Sequence, residues 1–128
     1  MLIFDEKRDL KDGVWREYAP GVRAKLRPCT KSDFRRLRKE ATVKPKRQPG
    51  QKRRVPYVDE DLLDRLVLRH VIMDWEGIVD PRKKPIPCTP EKIDLICDRV
   101  PDFGNWAVEE SDALTEDLAV LEEDEQKN

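Results

Sequence analysis

Chemistry-bearing residues are scarce in this sequence of 128 residues. The single histidine, His70, sits among Leu66, Val67 and Val71, where a packed imidazole is the ordinary outcome. A Ser–His pair would need Ser32 or Ser111, and neither lies in a nucleophile-elbow pattern. Cysteine is also rare: Cys29, Cys88 and Cys97 are odd in number and widely spaced. This spacing does not read as a disulfide framework, and it offers no close ligand pair for structural zinc. The glycines Gly13, Gly21, Gly50, Gly77 and Gly104 are isolated, so there is no GxGxxG or Walker-type phosphate loop. No apolar run approaches the length that crosses a bilayer, and no N-terminal signal core is visible. Asp59, Glu60, Asp61 and Asp64 form an acidic group. It lacks the oxygen-rich loop that calcium requires, and acids of this kind are the usual complement to a helix N-terminus. The expectation is a non-enzyme with no catalytic residue, cofactor or metal, working in a reducing cytoplasm.

What the sequence does have is charge. Charged residues make up 41% and hydrophobic ones 38%, against a usual charged share of about a quarter. One modest core is possible at this length, with part of the chain left in water. The near-neutral total hides a division. Residues 23–54 carry fourteen Lys or Arg against only Asp33 and Glu40, whereas residues 109–128 carry nine acids against Lys127. Such separation bears on association and solubility.

Periodicity predicts an α+β single domain over 1–128, an N-terminal three-stranded antiparallel sheet followed by about four helices. Leu2 to Phe4, Val14 to Ala19 and Val22 to Leu26 alternate with period two between the turn signals Asp12-Gly13 and Pro20-Gly21, which gives a β meander over 1–28. Val14 and Tyr18 oppose Trp15 on the second strand, and one small core cannot bury both faces. Residues 30–42 read as a short basic helix, capped by Thr30 with Asp33 and bearing a narrow stripe of Phe34, Leu37 and Ala41. Residues 43–57 lack either period and read as a mobile basic loop. A helical part spans 58–121. Its central helix starts at Asp59 and carries a broad apolar face from Leu62 to Trp75, with Gly77 past its end. Thr89-Pro90 starts another helix. Asp102 caps a last helix whose stripe runs from Phe103 through Trp106 to Leu121. An acidic tail, 122–128, follows.

The binding candidates are aromatics and bases: Trp15, Tyr18, Arg35, Arg36, Arg38, Lys46, Arg47, Arg53, Arg54, Trp75 and Trp106. Clustered bases at 35–54 suit phosphate, but no aromatic interleaves them for base stacking, and the acidic tail would repel nucleic acid. Protein partners are therefore preferred, with a nucleic-acid reading kept as the alternative.

Several segments together resemble bacteriophage tail assembly chaperones. In the first half they are Gly13-Val14-Trp15, Pro20-Gly21-Val22 with its basic alternating strand, and the short helix containing Phe34. In the second half they are Asp74-Trp75-Glu76-Gly77-Ile78-Val79-Asp80, Pro85-Ile86-Pro87-Cys88-Thr89-Pro90-Glu91 and Pro101-Asp102 before the last helix. This half is similar to the family's Trp-x-Gly-Val … Pro-hydrophobic-Pro-x-Thr/Ser arrangement. The chain departs from it at Asp80-Pro81-Arg82-Lys83-Lys84, where such proteins often carry Asp-Gly. The resemblance implies a non-catalytic protein of the host cytoplasm that binds the helical, aggregation-prone tape measure protein, and in some cases tail tube subunits, during tail morphogenesis. Self-association is left open, and no membrane partner is expected. A structural tail completion or connector protein is a further alternative.

Overall fold

The hairpin that opens the main sheet follows from its turn. Pro20 presets φ and Gly21 takes φ +78°, so β2 (Val14–Ala19) folds back onto β3 (Val22–Leu26). Their register pairs Val14 with Leu26 and Arg16 with Ala24. The other face pairs Trp15 with Lys25 and Glu17 with Arg23. Ala24 and Leu26 are fully buried, which makes theirs the inner face. Tyr18 falls on the same face as Val14 and Arg16, at a bulge between Glu17 and Ala19, and meets Phe103 and Trp106 of the helical layer.

The computed structural model describes residues 1–46, 49–50, 52 and 55–121. Among the described residues it confirms the mixed α+β class, with a three-stranded antiparallel sheet and four helices, and it changes which strands form the sheet. The third strand is β6 (Ile72–Glu76), lying against β3, and not the chain's first strand. That strand, β1 (Leu2–Phe4), pairs instead with β7 (Ala119–Leu121) in a separate antiparallel ribbon. The central helix α2 (Glu60–Val71) therefore stops at Val71 and passes into β6 with no intervening loop. Gly77 ends a strand, not a helix. Val71, Ile72 and Trp75 are buried in both readings, so an apolar stripe alone could not distinguish them.

Local capping chemistry fixes most of the helix starts. Around α1 (Lys31–Glu40), Thr30 and Asp33 satisfy each other's backbone N–H groups in a capping box. The Asp59 carboxylate accepts from the Leu62 N–H at 3.1 Å at the start of α2. Thr89 does the same for α3 (Pro90–Arg99) from Lys92. The fourth helix departs from expectation. α4 (Pro101–Leu114) starts at the proline with no side-chain cap, so Asp102 lies inside the first turn. It then passes through a 3-10 turn (Thr115–Leu118) into β7 and does not continue as helix. Two short strands, β4 (Thr42–Val43) and β5 (Tyr57–Val58), pair antiparallel and close the base of the basic segment. Within that segment, residues 47–48, 51 and 53–54 lie outside the described residues, as does the 122–128 tail.

The main core lies between the sheet's inner face and α2, α3 and α4, around Leu26, Ile72, Trp75, Ile93, Phe103 and Leu114. Leu10 joins it from the first loop. A second cluster of Leu37, Ala41 and Leu63 fixes α1 to α2.

The segment carrying the family-like Trp-x-Gly … Pro-Ile-Pro pattern is a brace. The Trp75 indole N–H donates to the Ile86 carbonyl at 2.7 Å, and the Ile86 N–H returns to Ile78 O at 2.9 Å. Between them, Asp80 Oδ1 accepts from the backbone of Arg82 and Lys84. Gly77 sits at φ +85°, and a Cβ there would lie 1.9 Å from Gly21 O. Gly77→Ala is therefore expected to destabilise the protein by about 2–4 kcal/mol, from left-handed backbone plus overpacking. Gly21→Ala has φ +78° but open space, and should cost about 1–2 kcal/mol. Urea midpoints of the two variants check this ordering.

Candidate functional site

The aromatic candidates divide between two faces. Trp75 is only 6% exposed. Phe103 stacks on Trp106 at 5.7 Å and meets Trp75 at 6.3 Å. Tyr18 approaches the edges of Phe103 and Trp106 at 5.2 and 5.1 Å. Tyr18, Trp75 and Trp106 thus form one cluster fastening α4 to the sheet, with each ring pair contributing about 0.5–1.5 kcal/mol beyond area burial. Trp15 lies on the opposite, outer face. The Arg23 guanidinium covers its ring at 4.5 Å and reaches Glu76 at 2.6 Å. That ion pair holds the Glu76 carboxyl below its ordinary value. Both partners are about half exposed, so the pair adds little to stability.

The basic candidates Arg35, Arg36 and Arg38 are exposed on α1. Arg36 lies within 3.7 Å of Asp33 and 3.6 Å of Glu40. Lys46 is exposed beyond β4. Arg47, Arg53 and Arg54 lie outside the described residues.

His70 belongs to a polar junction. Its Nδ1 is 3.3 Å from the Arg27 guanidinium and its Nε2 is 3.3 Å from Asp33 Oδ2. Arg27 Nε donates to the His70 carbonyl at 2.7 Å, and the Ser111 hydroxyl donates to the Arg27 carbonyl at 2.8 Å. Burial and the Arg27 charge push the imidazole below its usual value, against weaker upward pulls from Asp33 and the Pro28 carbonyl. Asp33 is lowered: burial opposes this, but the Thr30 hydrogen bonds outweigh it, aided by His70 and Arg36. A neutral imidazole with a side chain only 9% exposed, and a serine committed to a backbone carbonyl, suit a structural junction. The thiols are also unreactive in character. Burial raises Cys29 and pushes Cys88 and Cys97 up to about 11, which leaves them protonated and weakly nucleophilic at neutral pH. Among the described residues, no group of three or more His, Cys, Asp or Glu is placed to hold a metal, and no helix is long and apolar enough to cross a membrane.

The feature missed by sequence reasoning is a groove on the helical side. It is open, about 620 Å³, and runs between α1, α2 and α4 with Cys97 of α3 at its floor. Phe34, Leu63, Val67, Leu68 and Val108 supply apolar lining, and Glu60, Asp64 and Glu109 supply carboxylates. Among the described residues, no Lys or Arg lines it. Phe34 stands 41% exposed. A second groove, between α2 and α3, meets it at Asp64, Leu68 and Cys97, and adds Asp61, Glu91, Asp94 and Asp98 against Arg65. Arg69 pairs with Asp94 nearby. One signal for the groove was in the sequence: Phe34 sits on a helix otherwise covered in bases, where a single aromatic has little core to enter.

A family model described as YdaY prophage protein matches residues 27–128. Neither a curated protein nor a solved structure matches the chain. The matched span contains every residue lining the groove, whereas Trp15 and Arg23 on the outer sheet face precede it.

The junction makes a pH prediction. His70 has a folded pKa below its unfolded value of about 6.5. As pH falls through that value the unfolded chain binds more protons, so stability is complete above it and is lost on acidification. Between pH 7.5 and 5.5, above the carboxylate range, His70→Gln should lose less stability than the parent protein. Chemical denaturation across that window measures the difference; parallel profiles would remove His70 from the account.

Proposed function

The chain belongs to the YdaY prophage protein family, and on that footing we propose that it is a non-catalytic tail assembly chaperone of the host cytoplasm. Its client is the tape measure protein, with tail tube subunits as a further partner. The observation that carries this reading is the open apolar groove with Phe34 at its mouth. A protein that shields an aggregation-prone client needs exposed apolar surface, together with enough charge to keep the complex in solution. Both are present here on one face, inside the span shared with the family. The raised thiols and the capped imidazole of the junction fit a binding protein better than an enzyme.

A second reading, nucleic-acid binding, draws on the exposed Arg35, Arg38 and Lys39 of α1. We place it second because carboxylates rim the groove beside that helix and would repel phosphate.

Co-expression tests the first reading. Tagged chain should co-purify with the tape measure protein of the same prophage and raise its soluble yield several-fold. Phe34→Ser should reduce that gain while leaving the chain folded, because Phe34 is largely outside the core. A tape measure protein equally soluble without this chain would refute the assignment.

A further inference from the structure

The groove also carries information about what fits it. We propose that it receives a basic amphipathic helix from a protein partner, apolar side down and Lys or Arg toward the rim. This rests on the reading of the chain as a client-binding protein, and adds the chemistry of the segment bound.

The argument for a helix comes from the walls. α1, α2 and α4 flank the groove, and α3 contributes its floor. Helix backbones have already committed their N–H and C=O groups to themselves. They offer no ladder to an extended peptide, whose own backbone groups would enter an apolar cleft unpaired. A helical ligand satisfies its backbone internally and presents side chains at i, i+3, i+4 and i+7. Among the described residues, none that lines the groove belongs to a strand, so no sheet edge there accepts an extended ligand.

The argument for a basic ligand comes from the rim. Among the described residues, Glu60, Asp64 and Glu109 line the groove and no Lys or Arg does. The adjoining cleft between α2 and α3 extends the same sign, with Arg65 its one base among the described residues. Glu60 lies in the first turn of α2, where acids serve the helix itself. Asp64 and Glu109 lie beyond the first turns of their helices and have no such role. Apolar floor and like-signed rim together select a partner that is apolar on one face and positive at its margins. Nucleic acid, which is negative throughout, fails the second condition.

The test uses the full chain and two fluorescein-labelled synthetic helices of about three heptads. Both carry leucine at the core positions; one is flanked by lysine, the other by glutamate. The lysine helix should bind, and binding should weaken with added salt. Asp64→Lys with Glu109→Lys should weaken it by about tenfold or more, as should Phe34→Ser, which removes the aromatic at the mouth. Glu6→Lys, in the first loop, should leave it unchanged. If the double reversal unfolds the chain by circular dichroism, Asp64→Asn with Glu109→Gln replaces it, with a smaller loss expected. Failure of the lysine helix to bind at low salt would overturn the proposal. So would equal binding of both helices, or indifference to both the rim and Phe34 changes. A dimer in sedimentation that the rim reversals dissociate would assign the groove to a second copy of the chain instead. Because the probes contain no phage sequence, a positive result stands even if the tape measure protein fails to co-purify. Conversely, co-purification that survives the rim and Phe34 changes would sink the groove proposal while client binding itself stands, on a surface other than the groove.

Discussion

Arg27 ties the sheet to the helices, and the arrangement of the molecule depends on that tie. It follows β3 directly. Its backbone N–H donates to Val71 O at 3.0 Å and its guanidinium to His70 O at 2.7 Å. Those are carbonyls at the C-terminus of α2, which a helix leaves without internal partners. A cation there also suits the negative end of the helix dipole. With these carbonyls satisfied, α2 can stop at Val71 and continue at once as the third strand of the sheet. Ser111 completes the tie by binding the Arg27 carbonyl from α4. One residue thus fixes the sheet, the end of α2 and the last turn of α4 relative to one another.

The placement of α1 follows from the same point. Only Pro28, Cys29 and Thr30 separate Arg27 from α1, and the Thr30–Asp33 capping box sets that helix's start. Asp33 then faces His70, so the cap is docked on the junction. Leu37 and Ala41 pack on Leu63, which turns the neighbouring Phe34 toward the gap between α2 and α4. The groove is therefore a by-product of how the junction sets three helices apart. Charge is distributed to match: bases cover the outside of α1, and acids rim the groove between α1, α2 and α4. Among the described residues, a basic helix thus lies beside an acidic-rimmed cleft, whose acids come mostly from α2 and not from the acidic C-terminal stretch.

Helix starts were legible because capping is local: Thr30, Asp59 and Thr89-Pro90 each act within three residues. The hairpin at Pro20-Gly21 was legible for the same reason. The end of α2 was not. Val71, Ile72 and Trp75 continue an apolar stripe, and the group that terminates the helix, Arg27, lies more than forty residues earlier in the chain. Alternation at Leu2 to Phe4 announced a strand but could not name its partner, which comes from beyond residue 118. Asp64 read as helix-starting charge and Phe34 as part of a narrow apolar stripe, because a groove exists only once the helices are placed. The Trp75 brace shows a further limit. The pattern that suggested a phage family proves to be structural, with Trp75, Gly77 and Ile86 holding a turn, so it marks a fold more directly than a binding site.

Hydrogen exchange on the chain with and without the prophage's tape measure protein tests the account's central claim, that the helical groove is the working surface. The account predicts new protection in α1 around Phe34, in the first turns of α2 and around Asn105 to Glu109 of α4, with the outer sheet face at Trp15 and Arg23 unchanged. Protection confined to that sheet face, or none in the groove, would contradict it.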